Sequence, residues 1–264
     1  NDEIWITELN EDLTAPKKDG LHRLLVSDHK NPELGYEGSH IQKINGYYYI
    51  FLVHSLRDRW MRTEACFYSD SLEGEFTGGD VLCDDRGYCG QGVAQGGIVD
   101  TPDGKWYAML FQDSGAVGRI PILLPVTWKD HFPFFGQNGH VPEEIEVHST
   151  RPGYIYQPLV GSDDFCNGLL PRWQINHDPD PRYYHLDALQ GTYTITTREV
   201  CTELTQAVNT LTQRMSYPSC AVEVTVDASA LKEGDVAGLC ALQGCYAAVG
   251  ITKPVSYTHL TLPT

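Results

Sequence analysis

A carboxylate stands at the start of a predicted β-hairpin in the stretch YEGSHIQKINGYYYIF, which begins at Tyr36. Asn45-Gly46 is a two-residue turn signal, and the aromatic and β-branched residues after it predict the returning strand. Glu37 comes just before the outgoing strand, next to a glycine that leaves its side chain uncrowded. Its carboxyl group either donates a proton in acid–base chemistry or is simply hydrated, and hydration is the commoner state of a strand-end carboxylate.

Three more side chains have the chemistry to act beside Glu37. The imidazole of His40 suits a hydrogen bond near such a site or a structural role, and the period-two rule places it on the same side as Gly38. The amide of Gln95, at the start of a second hairpin, suits a ligand contact and a structural hydrogen bond equally. Arg119, in AVGRIP, presents five donors in a rigid fork that suit vicinal hydroxyls or a carboxylate, and the alternative is an ion pair with a nearby acid.

The hairpins that carry these residues repeat along the chain. The second hairpin, AQGGIVDTPDGKWYAMLFQD, has Asp103-Gly104 as its turn and follows the first at a constant offset of 58 residues. This offset aligns Gln95 with Glu37 and one turn with the other. Units that recur in this way are typical of β-propeller blades, where the start of an inner strand can face the central channel in which ligands bind.

Composition limits the class of partner. The chain has 264 residues, 41% of them hydrophobic, and can therefore bury a core. Its formal charge of −16 repels nucleic-acid phosphates and anionic lipid surfaces, which favours neutral ligands, and no apolar stretch is long enough to cross a bilayer. The eight cysteines show neither CxxC pairs nor Cys/His ligand spacing, so no zinc or redox motif is expected, and most of the thiols are predicted to be free and buried.

Short alternating runs and turn dipeptides predict an all-β chain with two domains. Residues 1–150 are predicted to be the latter blades of a propeller, and residues 151–163, rich in Gly, Pro and Ser, to be a linker. Residues 164–254 are predicted to form a truncated β-sandwich with the strands GTYTITTREV, CAVEVTVDAS and AGLCALQGCYAAVGIT. The N-terminus, NDEIWITELNEDL, has no initiator methionine or signal-like region and is typical of mid-domain sequence, so the compartment stays open.

The final segment differs from everything before it. Residues 255–264, VSYTHLTLPT, resemble one reading frame of a transposase-type sequencing adapter. We therefore predict that the segment is adapter read-through, and we set it aside from the interpretation of the fold.

The ordered motifs resemble those of glycoside hydrolase family 43, the β-xylosidase and α-L-arabinofuranosidase family. The resemblance lies in YEGSHIQKINGYYYIF followed by GVAQGGIVDTPDGKWYAMLFQDSGAVGRIPILLPVTW. Residues 164–253 resemble the concanavalin-like β-sandwich that follows the propeller in many members. The resemblance implies a five-bladed propeller that cleaves the glycosidic bonds of xylo- or arabino-saccharides with inversion and requires no cofactor.

The resemblance also implies roles for individual residues. Glu37 falls on the family's general acid, and Arg119 falls on an arginine whose guanidinium contacts the sugar. The family's general base and pKa-tuning aspartates would both precede Asn1, so no Asp of this chain takes their place and the fragment is expected to be inactive. Gln95 replaces a histidine that lies near a central metal ion in some relatives, and this departure puts such an ion in doubt.

Two weaker signals and one rival function complete the expectations. Four aromatic residues of the blades could form a sugar-stacking face, although most aromatic residues at blade positions belong to the core. The four are Trp60, Trp106, Phe111 and Trp128. The oxygens of NHDPD at 176–180 suit a structural calcium ion, but the segment lacks the glycine and spacing of a calcium loop, so a turn is favoured. The rival function is carbohydrate binding without catalysis. An open propeller would expose sheet edges and apolar faces, so aggregation of the isolated chain is expected.

Overall fold

A computed structural model describes residues 2–175, 179–216 and 219–254. Its regular secondary structure is almost entirely β-strand, which confirms the all-β prediction. The chain divides into two compact units, Asn1–Pro152 and Gly153–Thr264. Helical structure in the described ranges consists of short 3-10 turns at Gly115–Val117, Pro181–Tyr183 and Leu204–Gln206. No helix among these residues has the length and hydropathy that a bilayer crossing requires.

The first unit contains a two-stranded pair followed by two four-stranded antiparallel sheets. The pair consists of β1 (Glu3–Thr7) and β2 (His22–Ser27). The first blade is a meander of β3 (Glu37–Ile44), β4 (Tyr47–Ser55), β5 (Arg62–Ser69) and β6 (Thr77–Leu82). The second blade repeats it with β7 (Ala94–Asp100), β8 (Trp106–Asp113), β9 (Arg119–Lys129) and β10 (Phe132–Phe135). Successive four-stranded meanders are the repeating unit of a propeller.

Each blade begins with an inner hairpin, β3–β4 in the first and β7–β8 in the second, and the turns of these two hairpins differ in length by one residue. Asn45 and Gly46 both have positive φ, at 49° and 91°, which is the two-residue turn that the sequence predicts. In the second blade the Thr101 N–H donates to the Lys105 carbonyl and the Gly104 N–H donates to the Thr101 carbonyl, both at 2.8 Å. Only Gly104 has a positive φ there, so this turn is a three-residue loop.

This extra residue corrects the alignment of the two blades. The offset of 58 holds for the returning strands, but the outgoing strands correspond at one residue less. The strand pairing therefore places Ala94, and not Gln95, at the position that Glu37 holds in the first blade. Gln95 instead corresponds to Gly38, and the two share a left-handed backbone with φ of 68° and 64°.

The central strand β4 is buried on both faces, which explains its continuous apolar sequence. Tyr49 and Phe51 point into a core cluster between the two four-stranded sheets, which Leu110 and Leu124 of the second blade complete. Ile50 and its neighbours on the opposite face pack with residues of β2 and of the β5–β6 turn. The first blade is thus held from both sides, and this burial positions the strand starts that carry the candidate residues.

The second unit has three two-stranded antiparallel sheets in its described part. They pair β11 (Gln174–Ile175) with β14 (Leu211–Thr212), β12 (Tyr184–Asp187) with β13 (Thr192–Ile195), and β15 (Val236–Gln243) with β16 (Cys245–Thr252). The segment AGLCALQGCYAAVGIT, predicted as a strand, is a hairpin that turns at Gly244, whose φ is positive. The prediction of a strand in CAVEVTVDAS, residues 220–229, is wrong, because no strand forms there. A strand needs a neighbouring strand to satisfy its backbone hydrogen bonds, and this segment pairs with none of the described strands. The tail, residues 255–264, lies outside the described residues.

The cysteine prediction is half correct. All eight thiols are free, but only Cys66, on β5, is buried. Five are exposed and two are half-buried: Cys83, Cys89, Cys166, Cys220 and Cys245, and Cys201 and Cys240. The prediction fails because most of these residues lie in loops or on the uncovered β15–β16 hairpin, where no second layer packs on them.

Candidate functional site

The predicted site residues of the first unit lie at one end of the two blades. Glu37 begins β3 and Arg119 begins β9, while Gln95 lies at the start of β7. Because alternate strands of an antiparallel meander run the same way, the starts of β3 and β5 share one end of the first blade, and the starts of β7 and β9 share one end of the second. A contact across the blades joins these ends, since Gln95 packs over Gly38.

Glu37 is exposed and stands beside a β-bulge. It pairs with Val53, whereas His40 pairs with Phe51, so three residues on β3 span the distance that two span on β4. In the described part of the chain, no group hydrogen-bonds to the Glu37 carboxylate. Burial lowers the pKa of Arg62, and the nearby carboxylates, among them Asp113 and Glu37, oppose that shift.

The bulge corrects the predicted direction of His40. Residues directly opposite each other on an antiparallel ladder point to the same face, and Val53 and Phe51 are two residues apart. Glu37 and His40 therefore share the face that points toward the second blade, so the period-two rule fails between them. His40 packs over Gly97, where an added Cβ would lie 3.8 Å from the Cβ of His40.

Both the backbone and the side chain of Gln95 contact the first blade. The Gln95 N–H donates to Oε2 of Glu64 at 2.6 Å. Its amide lies so close to Gly38 that an added Cβ there would be 2.5 Å from Nε2 of Gln95. The structure thus brings Gln95 next to the residue that follows Glu37.

Glu64 is a fully buried carboxyl group below this contact. It lies on β5 opposite Val53, and so on the same cross-strand row as Glu37. Burial raises the pKa of Glu64 well above its ordinary value, an effect that the N–H of Gln95 and the charge of Arg62 oppose. Oε1 of Glu64 has no hydrogen-bond partner among the residues described.

An arginine pair and one carboxylate form the other half of the site. Asp113 accepts from Nη1 of Arg62 at 3.0 Å through Oδ2, and from Nε of Arg119 at 3.3 Å through Oδ1. Both guanidinium groups also lie over the ring of Phe111, at 4.7 and 4.5 Å from its centroid. Arg62 is buried and Arg119 is exposed, so Arg119 keeps donors free for a ligand although it forms the ion pair that the sequence left open.

Sequence reasoning missed Arg62, Glu64 and Asp113. A signal for the first two exists in RTEACFYS, where an arginine and a glutamate stand two residues apart on one face of an otherwise apolar strand. Charged residues are almost never fully buried unless they are paired or functional, so that pattern marks a site. Asp113 ends β8 in an unremarkable sequence, and only the fold brings it to both arginines.

The four aromatic candidates divide by position. Trp106 and Trp128 pack against the inter-blade core and against each other, with ring centroids 5.4 Å apart. Phe111 is covered by the two guanidinium groups. Trp60 is 40% exposed and packs on Gly90. Trp60 therefore keeps an open ring face near the start of β5.

Across residues 2–175, 179–216 and 219–254, no group of three His, Cys, Asp or Glu side chains is arranged to hold an ion. Residues 176–178 of the weak calcium candidate lie outside the described residues. Asp180, its last carboxylate, instead binds Arg182 and accepts the N–H that begins a 3-10 helix.

Two cavities of the first unit lie away from Glu37 and Arg119. One, of about 440 Å³, is lined by residues of β9 and β10 and the loop after them. The other, of about 510 Å³, lies between the turn ends of the two inner hairpins, beside Trp106. Glu37 and Arg119 are both exposed, so the candidate site lies at the surface of this chain.

Comparisons with known proteins agree on one family for both units. The family model for glycosyl hydrolases family 43 matches residues 1–133. The model for the β-xylosidase C-terminal concanavalin A-like domain matches residues 162–259.

Individual relatives support the same assignment. A solved bifunctional GH43-CE protein of Bacteroides eggerthii is 38% identical with a TM-score of 0.79, covering 96% of this chain and 33% of that one. A protein of Xylanibacter ruminicola with a provisional β-xylosidase name is 28% identical over 225 residues, which are 82% of this chain and 41% of that protein. A non-reducing end α-L-arabinofuranosidase of Bacteroides ovatus is 26% identical over 170 residues, 59% of this chain and 31% of that enzyme.

The chain thus spans less than half the length of each of these three relatives. The family 43 model covers β1, β2 and nearly all of the two four-stranded meanders. The concanavalin A-like model covers most of the second unit. The chain belongs to glycosyl hydrolase family 43 and includes that family's concanavalin-like C-terminal domain.

Proposed function

We propose that the protein to which this chain belongs hydrolyses O-glycosyl bonds in neutral saccharides that contain xylose or arabinose. Family membership and the relatives named as β-xylosidase and α-L-arabinofuranosidase support this substrate class. The observation that carries the proposal is the place of Glu37, at a bulged strand start that faces the second blade beside Gln95.

In the proposed reaction Glu37 is the general acid. The glycosidic oxygen is weakly basic, so Glu37 transfers its proton to that oxygen as the bond to the anomeric carbon breaks. A water molecule attacks the anomeric carbon from the opposite face and loses its proton to a second carboxylate. With inversion, that base stands about 6.5 to 9.5 Å from the acid, which leaves room for the water.

The base and a pKa-tuning aspartate would come from the part of the relatives' length that this chain does not span. Glu37 is exposed here, because the two described blades form only part of the wall of a channel. Further blades of a five-bladed propeller would bury Glu37 and supply the carboxylates that face it. We infer that residues 1–264 alone are inactive.

The other predicted residues would hold the sugar. Arg119 has an exposed guanidinium that Asp113 and Phe111 hold in place, which suits hydrogen bonds to vicinal hydroxyls. His40 lies on the same face as Glu37, and Gln95 covers the glycine next to it. Both side chains are therefore within reach of a saccharide bound at this end of the blades.

A second candidate function is carbohydrate binding without catalysis. The open surface around Glu37, with the exposed ring of Trp60 near the start of β5, suits this alternative. The two functions differ in the carboxylates that face Glu37, because a binding protein needs none.

A protein completed to the length of its relatives tests the proposal. We expect turnover of aryl β-D-xyloside or aryl α-L-arabinofuranoside, and proton NMR during the first turnovers should show the product with inverted anomeric configuration. Retained configuration would contradict the mechanism. Saturable sugar binding without turnover on either substrate would instead support the carbohydrate-binding alternative.

A further inference from the structure

Glu64 is the fully buried carboxyl group that the proposed chemistry does not use. It lies in the middle of a buried strand, with none of its surface exposed. A glutamate in such a place is rare unless it has a specific partner. Its partner is a backbone group of the neighbouring blade, the Gln95 N–H at 2.6 Å.

The backbone that Glu64 holds is strained. Gln95 has φ of 68°, in the left-handed region that residues other than glycine seldom adopt. Strain of this kind persists only where surrounding contacts over-determine it, and it concentrates at functional sites. The hydrogen bond to Glu64 is a contact of that kind, because it fixes the direction of the Gln95 N–H from the opposite blade.

The conformation of Gln95 is transmitted to the residue after Glu37. Nε2, Cδ and Cγ of Gln95 would all lie within 2.9 Å of a Cβ added to Gly38. Gly38 forms the bulge that turns Glu37 toward the second blade. Glu64 thus acts on Glu37 through two contacts, first the backbone of Gln95 and then its side chain over Gly38.

We propose that Glu64 is a positioning residue of the active site, which fixes Gln95 in its left-handed conformation and through it the bulge that aims Glu37. This inference rests on the proposed role of Glu37 as general acid. Burial raises the pKa of Glu64 well above its ordinary value, so a neutral acid is favoured and no unpaired charge is left in the core.

A double-mutant cycle in the protein completed to the length of its relatives tests the path. Glu64→Leu keeps the approximate volume but removes the acceptor, and we expect kcat to fall at least about tenfold with a smaller change in KM. Gln95→Gly removes the side chain and relieves the strain. In that background we expect Glu64→Leu to lower kcat further by less than about threefold, because Gln95 no longer transmits its effect.

The conservative variant Glu64→Gln separates positioning from packing. Its amide oxygen can still accept the Gln95 N–H, so kcat should return to within about threefold of the parent value. If Glu64→Leu does not fold, the two variants Glu64→Gln and Gln95→Gly still test the proposal. The proposal requires Gln95→Gly to lower kcat while Glu64→Gln does not.

Two results would overturn the inference. One is an equal loss from Glu64→Leu in both backgrounds, and the other is an unchanged kcat in Gln95→Gly. Failure of the proposed function is distinguished by Glu37→Gln, measured in parallel. If that variant keeps full turnover, Glu37 is not the acid, whereas a dead Glu37→Gln with an additive cycle rejects only the role of Glu64.

Discussion

At the scale of single residues, the candidate site contains charged side chains that differ in burial. Glu37 and Arg119 are exposed, while Arg62 and Glu64 are buried below them. The buried members pair with groups from the other blade, so they join the two blades as well as shaping the surface. Asp113 accepts hydrogen bonds from both Arg62 and Arg119, so it links a buried arginine to an exposed one.

The buried acid makes a prediction for stability against pH. Burial raises the pKa of Glu64 in the folded protein, so the folded state keeps a proton that the unfolded chain loses near the ordinary glutamate value of 4.5. The stability from this proton is fully present below that value and is lost as pH rises toward the folded pKa.

We therefore expect the free energy of unfolding of the parent to fall relative to Glu64→Gln above pH 4.5, by up to about 1.4 kcal/mol per pH unit. Urea denaturation of both proteins between pH 4 and 8 measures the difference. A difference that does not change with pH would mean that Glu64 is ionised in the fold.

The sequence could predict the exposed half of this site but not the buried half. Glu37, His40, Gln95 and Arg119 each belong to a recognisable segment, and those segments keep their order in the chain. Asp113 meets its arginines only because the end of β8 lies beside the starts of β5 and β9, a long-range arrangement that no local pattern encodes. Whether the four predicted residues act on a sugar is still a prediction.

At the scale of elements, a β-bulge decides where the side chains point. Both blades have this bulge at the start of the inner strand, built on Gly38 in the first and on Gln95 in the second. The turn signals predicted both hairpins, but one extra loop residue and the bulge changed their register. Periodicity fails at such points because a bulge adds a residue without adding a strand position.

Glycine substitutions test the importance of the bulge. Gly38→Ala places a Cβ at positive φ and 2.5 Å from Gln95, so we expect a loss of stability of about 1 to 3 kcal/mol. Gly79→Ala is the matched control, because no atom lies within 4 Å of its added Cβ, and its effect should stay within about 0.5 kcal/mol. Equal urea midpoints for the two variants would contradict the account.

At the scale of the whole molecule, two blades and a C-terminal domain form a part of a family 43 architecture. The chain spans less than half the length of the relatives named above, and Glu37 and Arg119 are exposed in it. The charge of −16 is consistent with the neutral saccharide that we propose as the substrate class. The second unit was predicted from three strand-like segments and from the resemblance, and two of those segments contain β13 and the β15–β16 hairpin. Its β11 and β14 are only two residues long, which is too short for a local pattern to place.

The central claim, that Glu37 is the general acid, is tested most directly by the dependence of Glu37→Gln on the leaving group. The protein completed to the length of its relatives is assayed on a disaccharide and on the dinitrophenyl glycoside of the same sugar, with Glu73→Gln as an exposed control and residues 1–264 alone as an inactive one. We expect Glu37→Gln to lose about 10²- to 10⁴-fold on the disaccharide, whose leaving group needs a proton, and less than about tenfold on the dinitrophenyl glycoside. An equal loss on both substrates, or none on the disaccharide, would contradict the account.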